Sequence, residues 1–191
     1  MTNPTRYSLV AIILHWVIAL LIIGQIIGGL VMVRVLGDGS SLKFELYQHH
    51  KSFGLTILFL SMIRLGWRLA HRPPALPEGM AGWERAGARF SHIAFYALMI
   101  GVPLGGWAVV SASPFAASVP TYIFGVIPWP HLPFFENVED RQALTEQLAQ
   151  FHEWFALSIV ALLVLHVGAA LKHHYIEKDD VLTRMIPFLP K

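Results

Sequence analysis

Four stretches of the chain, near residues 9–33, 47–68, 90–112 and 149–171, are each long and apolar enough to cross a bilayer. A hydrocarbon core about 30 Å thick needs about 20 apolar residues of helix, and no water is available inside it to satisfy an irregular backbone. This confines the chain to an all-α membrane bundle, read as a single domain over 1–191. Composition fits that reading. Hydrophobic residues make up 55% and charged residues 14%, where an ordinary soluble domain carries about 25% charged residues. The same balance excludes disorder. Cysteine is absent, which excludes disulfides, iron–sulfur clusters, thiolate metal sites and covalent c-type haem. The first stretch is too long for a signal-peptide core and lacks a small-residue cleavage pattern, so it reads as a retained span.

Loop charge sets the direction. Arg6, Arg64, Arg68, Arg72, Arg85, Arg89, Lys172, Lys178, Arg184 and Lys191 fall on one side, and only Arg34, Lys43, Lys51 and Arg141 on the other. The positive-inside rule puts both termini in the cytoplasm. The long connection 113–148 then lies on the outer surface, with a short amphipathic helix expected around 139–148. Trp16, Trp67, Trp107, Trp129 and Trp154 sit near span ends, as aromatic belts do.

Ten histidines in so apolar a chain require a reason. Ionisable groups inside a span are costly and by default mark function. His15 lies about two turns into the first span from the inner side. His50 and His152 enter the second and fourth spans from the outer side, and His166 lies near the inner end of the fourth. His152 and His166 are two heptads apart, so they share a helix face with about 21 Å between them in depth. His15 matches His166 in depth, and His50 matches His152. Two imidazole pairs on facing helices are how a bundle holds haem iron with two axial ligands.

The same step of fourteen residues leads from His15 to Gly29, from His92 to Gly106 and from His50 to Arg64. Glycine leaves room for a porphyrin, and Gly54 lies one turn beyond His50. Arg64 and Arg68 are candidate partners for haem propionates, though arginines there also snorkel. Any one of these histidines could instead serve as an interhelical hydrogen bonder. His49 competes with His50 but points about 100° away. His92 is a candidate for a propionate contact, a quinone contact, a proton relay or a simple interhelical bond. His71, His173 and His174 read as solvated inner-flank residues, and His131 as a surface residue of the outer loop. A zinc site is disfavoured, because the histidines split between two depths.

Several segments resemble the bacterial cytochrome b561 family of small diheme membrane cytochromes. They are Leu14-His15-Trp16, His50-x-Ser52-x-Gly54, Arg64 with Arg68, His92-x-x-x-Tyr96, His152-Glu153, Leu165-His166, and the tail His173-His174-Tyr175-x-x-Lys178-Asp179-x-x-Leu182-x-Arg184-Met185-x-Pro187. They cover all four spans and the tail. The resemblance implies a four-helix bundle in the bacterial inner membrane with two noncovalent b haems, ligated by His15, His50, His152 and His166. It also implies oxidation of superoxide at the outer face and reduction of ubiquinone, with protons taken from the cytoplasm.

Three classes of function remain. The first is a superoxide:ubiquinone oxidoreductase. The second is a cytochrome b electron carrier or anchor for a partner dehydrogenase or hydrogenase. The third is a haem-free bundle. Superoxide is an anion, yet the outer side sets its four cations against Asp38, Glu45, Glu136, Glu139, Asp140, Glu146 and Glu153. Any steering must therefore come from a local patch of Lys51, Arg34, Lys43 or Arg141.

Overall fold

The computed structural model describes residues 6–186 and 188–189. Lys191, counted among the inner cations, and Pro187 of the tail motif lie outside the described residues. Four long helices dominate: α1 (Leu9–Arg34), α2 (Ser41–Ala70), α3 (Gly82–Ala112) and α4 (Arg141–Lys172). Local chemistry sets their starts. The Ser8 hydroxyl accepts from the Ala11 N–H at 3.3 Å, and the Asp140 carboxylate from the Ala143 N–H at 2.9 Å. At α3 the Glu84 side chain reaches back to the Ala81 N–H at 3.1 Å. Pro73 and Pro74 follow the end of α2, and Pro114 follows the end of α3.

Helices of 26 to 32 residues are about 39–48 Å long, more than the hydrocarbon requires, so their ends stand in the headgroup layer. Hydropathy marks only the lipid-crossing part of each. It therefore places the starts of α2, α3 and α4 six to eight residues late. For the same reason the expected separate helix at 139–148 is instead the first turns of α4. Nothing in Arg141–Gln150 breaks a helix, and the polar and apolar parts run on as one rod.

Consecutive helices pack antiparallel, α1 on α2, α2 on α3 and α3 on α4. The fourth side, between α1 and α4, is spanned by side chains. Halfway up the bundle sits a buried layer of Ile18, Ile22, Ile57, Met99 and Ile159. Ile22, Ile57, Met99 and Ile159 each lie seven residues past His15, His50, His92 and His152 in turn. The apolar layer thus separates the two histidine levels. Outward-facing residues such as Leu20, Ile93 and Val164 stay exposed, as a lipid-facing surface requires.

The outer connection holds a small hairpin, β1 (Thr121–Ile123) with β2 (Ile127–Trp129), paired Thr121 to Trp129 and Ile123 to Ile127. Phe124 (φ 50°) and Gly125 (φ 72°) form the turn, closed by Val126 N–H to the Ile123 carbonyl at 3.1 Å. Phe124 tolerates this conformation because its N–H donates to buried Ser52 Oγ of α2 at 2.9 Å, while its ring meets Phe53 at 5.1 Å. At the inner end α4 runs into a π-helical turn, His173–Glu177, that stops at Lys178 with φ 55°. The tail then folds back. The Trp16 indole donates to the Met185 carbonyl at 2.9 Å, and Arg184 reaches the Ala75 carbonyl.

Candidate functional site

At the outer level the rings of His50 (α2) and His152 (α4) face each other with centroids 6.1 Å apart. Two imidazoles on opposite sides of one metal, each bonded at about 2 Å, place their centroids about 6 Å apart. The His152 ring is fixed from behind. Its Nδ1 lies 3.0 Å from the Val102 carbonyl oxygen, which leaves Nε2 for a ligand. Gly106 makes that approach feasible, since a Cβ there would stand 3.0 Å from His152 Cε1. Gly29 backs His50 more loosely, at 3.5 Å from its Cε1. The His50 Nδ1 is sealed from solvent and has no partner. His49 is exposed on the neighbouring face with its ring beside Phe53, while the His50 ring faces His152.

At the inner level His15 (α1) and His166 (α4) have centroids 6.2 Å apart. His92 (α3) stands as close to His166, at 6.3 Å. The depth match expected from sequence is therefore present, with a third imidazole beside it. Phe95 packs edge-on against His166 at 5.2 Å. Arg64 and Arg68 lie at this end with Tyr96, the Arg68 guanidinium 5.9 Å from the Tyr96 ring centre. Among the described residues no cluster of three or more His, Asp or Glu closes up enough to hold a free metal ion.

Two imidazole pairs, one per level, suit a flat cofactor that takes an axial ligand on each face. The glycine cradle at the outer level and the orphaned His50 nitrogen fit such a group. Comparison with known proteins agrees: the model of prokaryotic cytochrome b561 matches residues 6–188. The chain belongs to the prokaryotic cytochrome b561 family. It is 32% identical to "Cytochrome b561 homolog 2" of Escherichia coli (strain K12) over 96% of this chain and 93% of the relative. It is 29% identical to "Cytochrome b561 homolog 1" of the same organism over 95% and 97%. It is also 29% identical to "Probable superoxide oxidase CybB" of Yersinia pestis over 95% and 96%. Cytochromes b561 bind haem b and move electrons within the membrane, so the histidine pairs of this cytochrome are its candidate haem ligands.

Several side chains of this cytochrome differ from what its sequence suggested. Gly54 faces the Gln25 side chain, at 3.5 Å from its Nε2. Gln25 itself donates to the His50 carbonyl at 2.8 Å and ties α1 to the ligand-bearing turn of α2. Only its polarity inside an apolar span could have singled it out. His131 is half-buried rather than on the surface, with both ring nitrogens sealed and unpartnered, because the hairpin folds the outer loop onto the bundle. Burial, then the charges of Lys51 and Arg141, hold its pKa below the usual histidine value. Trp129 packs on Phe59 and Trp107 instead of facing lipid alone. His173 is buried and pairs with Asp179 at 2.6 Å, because the returning tail covers it.

The outer cations are mostly committed. Arg34 pairs with Glu153 at 2.5 Å and Lys43 with Asp38 at 2.7 Å. Arg141 spends its guanidinium on the Ser111 and Ala112 carbonyls at the C-terminus of α3. Lys51 has only the Thr121 hydroxyl, at 3.4 Å, and no carboxylate among the described residues.

Proposed function

We propose that this chain carries electrons across the bacterial inner membrane through two noncovalent b haems, with both termini in the cytoplasm. The donor is superoxide at the outer face and the acceptor is ubiquinone. The observation that carries the reading is the pair of facing imidazoles at each end of one bundle, at 6.1 and 6.2 Å. When bound, haem b would supply one-electron chemistry.

The residues divide the work by level. His50 and His152 hold the outer group, and the Val102 carbonyl orients the second of them. His15 and His166 hold the inner one, where Arg64 and Arg68 receive its propionates. His92 serves a propionate or the quinone headgroup. The apolar layer of Ile22, Ile57, Met99 and Ile159 keeps water out between the levels. Two superoxide anions each lose one electron and leave as dioxygen. One ubiquinone gains both electrons and two cytoplasmic protons and leaves as quinol. Lys51, next to His50 and without a carboxylate partner among the described residues, is the cation that steers the anion despite the acidic outer surface.

The first test is haem per polypeptide on purified protein, where two are expected. The second is quinol formation driven by superoxide in liposomes, with membrane potential recorded. Charge transfer during turnover is expected, and its absence removes the transmembrane route. Lys51→Glu should slow superoxide-driven haem reduction at low salt and leave dithionite reduction unchanged. A protein that is inert to superoxide but copurifies with a soluble dehydrogenase would transfer the reading to the anchor class.

A further inference from the structure

Beyond the inner histidines a cavity of about 540 Å³ opens between the start of α1, the end of α2 and the tail. Arg6, Arg64, Arg68 and Arg72 line it, together with His71, and among the described residues no carboxylate does. None of the four arginines forms an ion pair among the described residues, whereas Arg34, Lys43, Lys172 and Arg184 each do. Four unneutralised guanidinium groups around one space repel each other unless an anion enters.

The cavity is distinct from the slot between the ligands, since neither His15 nor His166 lines it. Its deep end is marked by Ala11, one turn before His15, and by Tyr96. Its shallow end is marked by Arg72 and Pro73. The two propionates of one haem engage at most the deeper pair, Arg64 and Arg68. Arg6 and Arg72 remain, at headgroup depth, beside Tyr7 and Trp67. The Trp67 indole is held there by Ser8 Oγ at 3.0 Å and stacks on His71 at 3.9 Å.

We propose that the shallow half of this cavity binds the phosphate of an anionic phospholipid, gripped by Arg6 and Arg72. A guanidinium fork matches phosphate geometry in a bidentate way. Basic pockets between helix ends recruit anionic headgroups in the same manner. Tyr7 and Trp67 supply the amphipathic rings that sit at that depth. The assignment rests on the proposed haem reading only in leaving Arg64 and Arg68 to the propionates, and not on the electron donor.

The experiment melts the purified full chain in neutral detergent with added phosphatidylglycerol, phosphatidylcholine or inorganic phosphate. Phosphatidylglycerol should raise the melting temperature by about 2–4 °C over phosphatidylcholine. The Arg6→Gln/Arg72→Gln double variant should lose most of that rise, and the milder Arg72→Gln single variant about half. Arg85→Gln/Arg89→Gln, at the same end but outside the cavity, should keep it. Equal loss in both doubles would make the effect diffuse surface charge and overturn the site. An equal rise with both lipids would also overturn it. Inorganic phosphate matching phosphatidylglycerol would replace the lipid with a soluble anion. Haem content is recorded in parallel, so a failed haem assignment stays separable from a failed lipid site.

Discussion

At the outer level, one ring of the facing pair is locked by backbone: the Val102 carbonyl holds His152 at 3.0 Å and Gly106 makes room for it. At the inner level the rings stand equally far apart, but the surroundings differ. A third imidazole, aromatic Phe95 and a cluster of arginines crowd the site, and no backbone carbonyl holds His15 or His166 among the described hydrogen bonds. The outer site is defined by close helix approach, and the inner site by charge and a choice of ligands. A covered, rigid site suits electron entry at one redox centre. An open, cationic one suits exchange of protons and larger partners. The two levels should therefore fail independently and for different reasons.

The largest effect should come from separating the levels on the helix they share. His152→Ala and His166→Ala should each lower the haem content from two per chain to one, measured as pyridine haemochrome against amino-acid analysis. The two variants should lose different spectral components. Loss of both haems from either variant would mean that α4 needs both groups to fold. The comparison of levels would then collapse.

The next effect sits wholly at the outer level. Gly106→Ala puts a Cβ 3.0 Å from the His152 ring, against an imidazole already fixed by Val102. Outer-haem affinity should fall about 10–100-fold, the usual cost of disturbing a ligand's supporting contacts. Gly29→Ala meets His50 at an ordinary 3.5 Å and should be nearly silent. Titration of haem into apoprotein reads both. Equal sensitivity at the two glycines would show that the outer pair is cradled symmetrically.

The inner level yields a sharper distinction. His15 and His92 lie 6.2 and 6.3 Å from His166, so ring distance alone does not choose between them. Depth does not choose either, since both stand seven residues before the buried layer; the family resemblance favours His15. His15→Ala should empty the inner site, while His92→Ala should keep the haem and shift only its midpoint potential. The reverse result would exchange the two roles.

These contrasts also mark what the chain discloses about itself. The four spans, the split of histidines by depth and the step of fourteen residues are one-dimensional patterns, because a lipid-crossing helix is nearly straight. Folding adds little to them, and His15, His50, His152 and His166 stand out in the sequence itself. The details that appear only in three dimensions arise where the chain turns back on itself. The hairpin at 121–129 has Phe-Gly at its turn rather than Asn-Gly, and it is held by Ser52, some seventy residues earlier. His131 and His173 look like surface residues until the hairpin and the tail cover them. Gln25 and the third imidazole of the inner group depend on how neighbouring helices are rotated, which hydropathy does not encode.

The smallest predicted effect concerns that covered outer loop. Burial, and then the charges of Lys51 and Arg141, hold the His131 pKa in the folded protein below the usual histidine value, while the unfolded chain titrates at about 6.5. Between those two values the unfolded form binds a proton that the folded form refuses, so stability rises with pH across that window. Above about 6.5 the term is constant, and as the pH falls below it the loop loses stability. Amide exchange over 113–140, corrected for the intrinsic exchange rate, should therefore show more frequent opening at pH 5 than at pH 7. His131→Gln should flatten the dependence and leave inner-end exchange untouched. The charges of Lys51 and Arg141 add to burial in making protonation of the ring unfavourable. Protection that instead grew on acidification would mean that His131 meets a bound anion when protonated. The covered loop would then be a second charged site, and the contrast between a rigid outer level and an electrostatic inner one would no longer hold.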